Sequence, residues 1–99
     1  MKEIPVYATI SGSLWVIHFK LQTTDYGWGQ GELDGRGGLH ELKLRLLDYG
    51  YPDIPIYDLS KITSLQYVNF LPKEVYRYSD TSLDEFFKIL EKCGGRRVQ

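Results

Sequence analysis

Apolar and polar residues alternate along the first 22 positions of the chain in two runs. The apolar members are Ile4, Val6, Ala8 and Ile10 in the first run, and Trp15, Ile17, Phe19 and Leu21 in the second. A period of two places such residues on one face of a β-strand. Between the runs, Ser11-Gly12-Ser13 is typical of a tight turn. The pattern therefore predicts an N-terminal β-hairpin whose strands each have one apolar face.

Glycines recur at every second position in the next part of the chain. A turn is predicted at residues 23–27, followed by a third strand at residues 28–33. Gly27, Gly29 and Gly31 would share one face of that strand, and glycine there typically marks an edge, a bulge or close packing. The glycine-rich residues 34–38 predict a loop.

Residues 39–49 fit two patterns. Helical spacing relates the apolar residues Leu39, Leu42, Leu46 and Tyr49. Residues 42–46, by contrast, alternate as a strand would. We favour the helix, because Leu, Lys, Glu and Arg are strong helix formers and Gly50 stands where glycine commonly ends a helix.

Two prolines dominate the segment that follows. Pro52 and Pro55 exclude a central strand or a helix interior from residues 51–58. Beyond them, residues 59–65 predict a short helical turn and residues 65–70 a further strand.

The last predicted element is a helix. Ser82 and Glu85 form a capping box, with the serine at the N-cap. An apolar stripe at helical spacing follows, comprising Leu83, Phe86, Phe87, Leu90 and Cys93. Gly94 and Gly95 then end the helix.

This order of elements predicts an α+β fold. We expect a small, mostly antiparallel sheet, built from the N-terminal hairpin and further strands, with two helices on one face, one of them C-terminal. A length of 99 residues suits a single domain. Residues 1–94 are predicted to form that domain, and residues 95–99 a mobile tail.

Charge and hydropathy restrict the partners. The chain has 12 basic and 13 acidic residues, a formal net charge of −1, and its only basic cluster is Arg96-Arg97. Direct nucleic-acid binding is not expected, because it requires a basic field that displaces counterions from phosphates. The sequence has neither the apolar core of a signal peptide nor an apolar run of ~18 residues, which predicts a cytoplasmic protein without membrane contact.

Residues of catalytic type do not form a known motif. Cys93 is the single cysteine, which excludes an intrachain disulfide, and we expect it to be a buried thiol. His18 and His40 match no metal-binding spacing and are predicted to be satisfied polar residues, although the sequence leaves open whether they meet in space. Residues 27–38 lack the ending of a P-loop and the context of a dinucleotide site. The sequence predicts no catalysis, metal or cofactor.

Residues 48–58 stand out for their surface chemistry. They contain aspartate and tyrosine but no basic residue, and they supply the candidate partner-binding residues Asp48, Tyr49, Tyr51, Asp53, Tyr57 and Asp58. Proline rigidity lowers the entropy cost of binding, tyrosine supplies contact area, and carboxylates bind basic groups of a partner. The alternative is a plain connection from helix to strand, with prolines and aspartates as turn formers and tyrosines that cap the core.

The size, the mildly acidic balance, this Asp/Tyr/Pro segment and the final helix from Ser82 to Phe87 resemble small cytosolic immunity proteins that neutralise bacterial nuclease toxins. The segment is similar in chemistry to that of DNase-colicin immunity proteins. Those proteins are helical throughout, whereas this chain opens with strands, so the resemblance assigns no residue roles. It implies a bacterial protein whose partner is a basic toxin or nuclease domain.

Three functions are compatible with these features. The first is a non-catalytic inhibitor, most concretely an immunity protein or antitoxin that occludes a toxin's active or substrate-binding site. The second is a structural or adaptor subunit of a larger complex, bound through an exposed strand edge. A phage-encoded inhibitor of a host enzyme would bind through the same interactions as the first and is not distinguished from it by the sequence. The third is a small enzyme, which would require two or more titratable groups that converge in a pocket. The sequence leaves the oligomeric state open.

Overall fold

The computed structural model describes residues 2–23, 27–62, 80–92 and 94–99. Within these residues the chain forms five strands and two helices. In chain order they are β1 (Lys2–Ser11), β2 (Leu14–Thr23), β3 (Gly27–Arg36), α1 (Gly38–Tyr49), β4 (Ile56–Asp58), α2 (Asp80–Lys92) and β5 (Arg96–Arg97).

The strands form one sheet in the order β3-β2-β1-β4-β5. Neighbouring strands are antiparallel except β1 and β4, which are parallel. The predicted α+β class is confirmed, but the sheet is mixed rather than mostly antiparallel. The reason is that β3 runs in the direction of β1, and α1 then returns the chain so that β4 takes that direction again.

The two helices cover opposite faces of this sheet. The α1 layer consists of the buried residues Ala8, Ile10, Trp15, Ile17, Phe19, Leu42, Leu46 and Ile56. The α2 layer consists of the buried residues Tyr7, Tyr57, Phe86, Phe87 and Leu90. Successive residues of a strand point to opposite faces, so Tyr7 and Ala8 enter different layers. The expectation of both helices on one face was therefore wrong, because β1 and β4 are buried on both sides.

The predicted N-terminal hairpin is present, with an irregularity in β1. Pro5 pairs with Phe19 and Tyr7 with His18, which leaves Val6 as an extra residue at a bulge. Past the bulge, Ala8 faces the α1 layer, whereas Val6 packs against the α2 layer. The prediction of a single apolar face fails for β1, since this central strand has a helical layer on each side.

Strand β3 is longer than predicted and includes part of the expected glycine loop. It pairs with β2 from Gly27 to Arg36, opposite Thr23 to Leu14. A Cβ at Gly35 would overlap the indole ring of Trp15, whose Nε1 donates a hydrogen bond to the Arg36 carbonyl at 3.2 Å. Glycine is needed at position 35 because the largest side chain of the α1 layer packs directly on the backbone there.

The helical interpretation of residues 39–49 is confirmed, and Gly50 ends the helix as predicted. Its φ of 84° is a left-handed value that favours glycine. The Gly50 N–H donates to the Leu47 carbonyl, and the Tyr51 N–H donates to the Leu46 carbonyl, both at 3.0 Å. This pair of bonds is a Schellman motif, which fixes the direction in which the chain leaves α1.

Helix α2 begins at Asp80, two residues before the predicted cap at Ser82. It ends as predicted, where the N–H groups of Gly94 and Gly95 donate to the Glu91 and Leu90 carbonyls at 3.2 and 2.8 Å. The predicted strand at residues 65–70, the end of the predicted turn at 59–65, and the predicted burial of Cys93 lie outside the described residues.

Residues 96–99, predicted to belong to a mobile tail, are paired with the sheet. Strand β5 is antiparallel to β4, with Arg97 opposite Tyr57 and Arg96 opposite Asp58. The pairing continues beyond the strand, since the Val98 N–H donates to the Ile56 carbonyl at 2.8 Å and the Ile56 N–H donates to the Gln99 carbonyl at 3.1 Å. The edge of β4 that faces away from β1 supplies hydrogen-bond partners for residues 96–99. The pattern of the terminal residues alone does not predict these partners.

Candidate functional site

The candidate segment 48–58 connects the end of α1 to β4. Asp48 and Asp53 are exposed, Tyr51 is half-buried, and the Tyr49 side chain is 39% exposed. The Tyr49 ring meets Phe19 edge-to-face, with 5.3 Å between ring centroids, which anchors the tyrosine to the α1 layer. These four predicted residues thus lie on the same stretch of helix end and loop.

Tyr57 and Asp58 do not belong to that surface. Tyr57 is 1% exposed and stacks on Phe87 in the α2 layer, with 4.9 Å between centroids; burial raises the pKa of its hydroxyl. Asp58 is half-buried and accepts a 2.9 Å hydrogen bond from the Ser60 N–H, which lowers the pKa of its carboxyl. Because Tyr57 is buried we remove it from the candidate site, and Asp58, whose carboxylate already accepts the Ser60 hydrogen bond, is left out of the surface defined below.

Two exposed leucines that the sequence did not single out adjoin the remaining residues. Leu44 is 44% exposed and Leu47 is 60% exposed. They lie three residues apart on α1, and Asp48 lies four residues after Leu44, so all three occupy the outer side of the helix. The available signal was that neither leucine fits the buried spacing of Leu42 and Leu46. We name the resulting surface the helix-loop surface; it comprises Leu44, Leu47, Asp48, Tyr49, Tyr51 and Asp53.

The charges of this surface are directed to solvent. Among the described residues, neither Asp48 nor Asp53 makes an ion pair, whereas the neighbouring Glu41 and Arg45 lie 3.6 Å apart as an i,i+4 pair. Both aspartate carboxylates are therefore available to an external basic group.

The backbone of the loop is held from outside. The side-chain amide of Gln99 donates hydrogen bonds to the Pro52 carbonyl and, at 3.1 Å, to the Ile54 carbonyl. At the far end of the loop, the Ala8 N–H donates to the Pro55 carbonyl at 2.9 Å. These hydrogen bonds hold the backbone of the loop in place, although the loop itself contains no strand pairing.

Two buried polar residues, His18 and Thr9, lie on the α2 side of the sheet. His18, predicted to be a satisfied polar residue, is 2% exposed and stacks on Tyr7 with 4.2 Å between centroids. Its Nε2 lies 3.2 Å from the Thr9 hydroxyl, while its Nδ1 has no hydrogen-bond partner among the described residues. Burial lowers the pKa of His18 to about 3, so the imidazole is neutral at physiological pH.

Glu32 is the acidic neighbour of this histidine. One carboxylate oxygen lies 3.7 Å from Nδ1, beyond hydrogen-bonding distance, and its side chain is 59% exposed. Water screens that charge, so desolvation dominates the pKa of His18. His40 is exposed on α1, on the opposite side of the sheet, and the two histidines do not meet.

The described residues lack two other kinds of feature. They contain no group of three or more His, Cys, Asp or Glu side chains that could hold a metal ion. None of the described helices combines the length and apolar character needed to cross a membrane. Comparison of the chain with protein-family models, curated proteins and solved structures gives no match.

Proposed function

We propose that this chain is a non-catalytic, protein-binding inhibitor that docks through the helix-loop surface. Its most concrete form is an immunity protein or antitoxin that acts in the bacterial cytoplasm and occludes the active or substrate-binding site of a toxin. The observation that carries the proposal is that two exposed carboxylates, which have no ion-pair partner among the described residues, lie on the same helix end and loop as the exposed side chains of Leu44, Leu47 and Tyr49.

The chemistry of the surface selects the kind of partner. Leucine and tyrosine side chains supply apolar contact area, and the carboxylates of Asp48 and Asp53 favour lysine and arginine around it. Enzymes that bind nucleic acid present such basic groups, because they must contact phosphates. A nuclease toxin domain is therefore the class of partner that fits best.

The fixed loop strengthens the proposal through its effect on entropy. A surface already ordered in the free protein avoids the ordering cost that a flexible segment pays on binding. The Schellman motif at Gly50 and the hydrogen bonds from Gln99 hold the loop on both sides of Asp53. Carboxylates on such a backbone also steer association with a basic partner.

The test is a charge reversal at the surface. The wild-type chain is used to capture its partner from the native host, and the partner, identified by mass spectrometry, is then purified for calorimetry. We expect the double variant Asp48→Lys/Asp53→Lys to bind that partner at least about tenfold more weakly, since paired interfacial charges are each worth more than 1 kcal/mol.

The matched control places the same charge change elsewhere. Asp84 and Glu85 are exposed on α2, so Asp84→Lys/Glu85→Lys alters the net charge equally without touching the helix-loop surface. This control should bind within about threefold of wild type, because distant charges are screened. Equal loss of affinity in both double variants would indicate a general charge effect and would rule out the helix-loop surface as the binding site. A captured partner that is not inhibited on binding would exclude the inhibitor function.

A structural or adaptor subunit is the second candidate, favoured by the position of β3. This ten-residue strand is an outer strand of the sheet formed by the described residues. Edge strands are natural pairing sites for other chains. Size-exclusion chromatography separates the candidates, because a stable homo-oligomer favours the subunit and a monomer favours the inhibitor. A phage-encoded inhibitor would be distinguished by a host enzyme as the captured partner.

A further inference from the structure

The loop of the helix-loop surface depends on a residue 46 positions after Asp53 in the chain. The Gln99 side chain donates to the carbonyls of Pro52 and Ile54, the two residues that flank Asp53. One primary amide has two N–H donors, and here each is used on a carbonyl of the same loop. The amide thus bridges the backbone across the residue that carries the exposed carboxylate.

Gln99 is itself held in place by its own backbone. Its carbonyl accepts hydrogen bonds from the Ile56 N–H at 3.1 Å and from Nε of Arg97 at 2.9 Å. The neighbouring Val98 N–H donates to the Ile56 carbonyl at 2.8 Å. The side chain therefore extends from a fixed backbone, so only side-chain rotamer entropy is lost when it bridges the loop.

We propose that Gln99 is a positioning residue for the helix-loop surface, and that pairing of β5 with β4 controls whether the loop is held. The role of the surface in binding rests on the proposed function, whereas the effect of Gln99 on the conformation of the loop does not. Apart from the Gln99 bonds, the described loop is anchored by the Tyr51 N–H at Leu46, by the packing of Ile54 on the α1 layer and by the Pro55 carbonyl at Ala8. Loss of the bridge would let the exposed residues 52 and 53 sample other conformations and reduce the fraction competent to bind.

Two substitutions separate hydrogen-bond donation from packing. Gln99→Ala removes the amide and its volume, whereas Gln99→Glu keeps the shape but directs a carboxylate at two carbonyl oxygens. If donation matters, loop motion increases from wild type to Gln99→Ala and again to Gln99→Glu. If only packing matters, Gln99→Glu behaves as wild type. Arg96→Ala is the matched control, because it alters an exposed side chain of β5 and keeps the backbone pairing.

NMR on the isolated chain measures the effect without a partner. We expect the amide order parameter of Asp53 to fall from about 0.85 to about 0.6 or below in Gln99→Glu, and that of Ile54, whose side chain packs on the α1 layer, to fall less. Exchange of the Ile56 and Val98 amides should accelerate about fivefold, the change expected on loss of a hydrogen bond of average strength. Arg96→Ala should leave all four values as in wild type.

The outcomes distinguish this proposal from the proposed function. Unchanged order parameters in both Gln99 variants, or a Gln99→Glu variant that matches wild type, would overturn the positioning role. A loosened loop together with affinity for the captured partner that is unaffected by Asp48→Lys/Asp53→Lys would overturn the proposed function but support the role of Gln99. A loosened loop with unchanged affinity, in a protein that does depend on the aspartates, would show that the loop shape does not matter and overturn the link between them.

Discussion

The two sides of the sheet are covered in different ways. The α1 layer packs the helix side chains Leu42 and Leu46 onto mostly aliphatic strand residues, with Trp15 seated on Gly35. The α2 layer is dominated by rings, and the buried polar residues Thr9 and His18 lie next to it, with His18 stacked on Tyr7. One layer is therefore stabilised mainly by apolar area, and the other by rings in particular orientations as well.

Ring geometry supports this distinction. Tyr57 stacks on Phe87, whereas Tyr7 meets Phe87 edge-to-face with 5.4 Å between centroids. Such pairs add about 0.5–1.5 kcal/mol beyond the area that they bury. The α2 layer tolerates buried polar residues at its margin because aromatic rings cover them. A neutral histidine can therefore be buried there.

The largest expected effects come from truncation of one helix residue in each layer. Phe86→Ala should lower the free energy of unfolding by about 4 kcal/mol and Leu46→Ala by about 3 kcal/mol, since both side chains are buried. Urea denaturation measures both values. If the layers are independent, the double variant should show the sum to within about 0.5 kcal/mol. Strong non-additivity would mean that the sheet couples the two layers, so that they do not stabilise the protein independently.

A smaller effect, specific to the α2 layer, is acid destabilisation through His18. The pKa of His18 is lowered to about 3 in the folded protein. As pH falls below about 6.5 the unfolded chain gains a proton that the folded one does not, so stability falls by about 1.4 kcal/mol per pH unit until about pH 3. This amounts to a loss of about 2 kcal/mol at pH 5 relative to pH 8.

Two variants isolate this contribution in denaturation curves recorded at several pH values. His18→Phe keeps a ring against Tyr7 but cannot titrate, so its stability should lack this part of the pH dependence. His40→Ala removes an exposed histidine and should retain it. A pH profile of His18→Phe that parallels wild type between pH 8 and pH 5 would rule out His18 as the cause.

The smallest expected effect concerns the Tyr57 hydroxyl. It donates a long, 3.4 Å hydrogen bond to Glu91, whose side chain is exposed. Tyr57→Phe keeps the stacked ring and should lower the free energy of unfolding by about 0.5 kcal/mol, at the low end for a hydrogen bond. Binding of the captured partner should be unchanged, because Tyr57 lies outside the helix-loop surface. Loss of binding without loss of stability would return Tyr57 to the candidate site.

Features encoded by neighbouring residues were predictable from the sequence. The first hairpin followed from alternation around Ser11-Gly12-Ser13, and the end of α1 followed from Gly50. Each depends on turn and cap chemistry within a few residues. The parallel pairing of β4, the placement of the helices on opposite faces and the strand at Arg96–Arg97 depend on partners far away in the chain, which local patterns do not specify.

The candidate site shows the same limit. Composition drew attention to residues 48–58, but Tyr57 is buried because β4 has a helix layer on each of its faces, whereas Asp53 lies exposed in the loop before it. Leu44 and Leu47 were overlooked because leucine is usually assigned to the core. The hydrogen bonds that Gln99 donates to the loop could not be predicted, because they join the segment that pairs with β4 to a carbonyl 45 positions earlier in the chain.

The parallel pairing of β4 with β1 has a consequence for the order of folding. Ala8 pairs with Ile56, 48 positions later in the chain, whereas β1, β2 and β3 are joined by short connections. Closing a long loop costs more chain entropy than closing a hairpin, and contacts of large sequence separation slow folding. The three-stranded N-terminal meander is therefore expected to form first, and the docking of β4 to set the folding rate. The surface proposed to bind a partner would then be completed only in the last step, when β5 closes on β4.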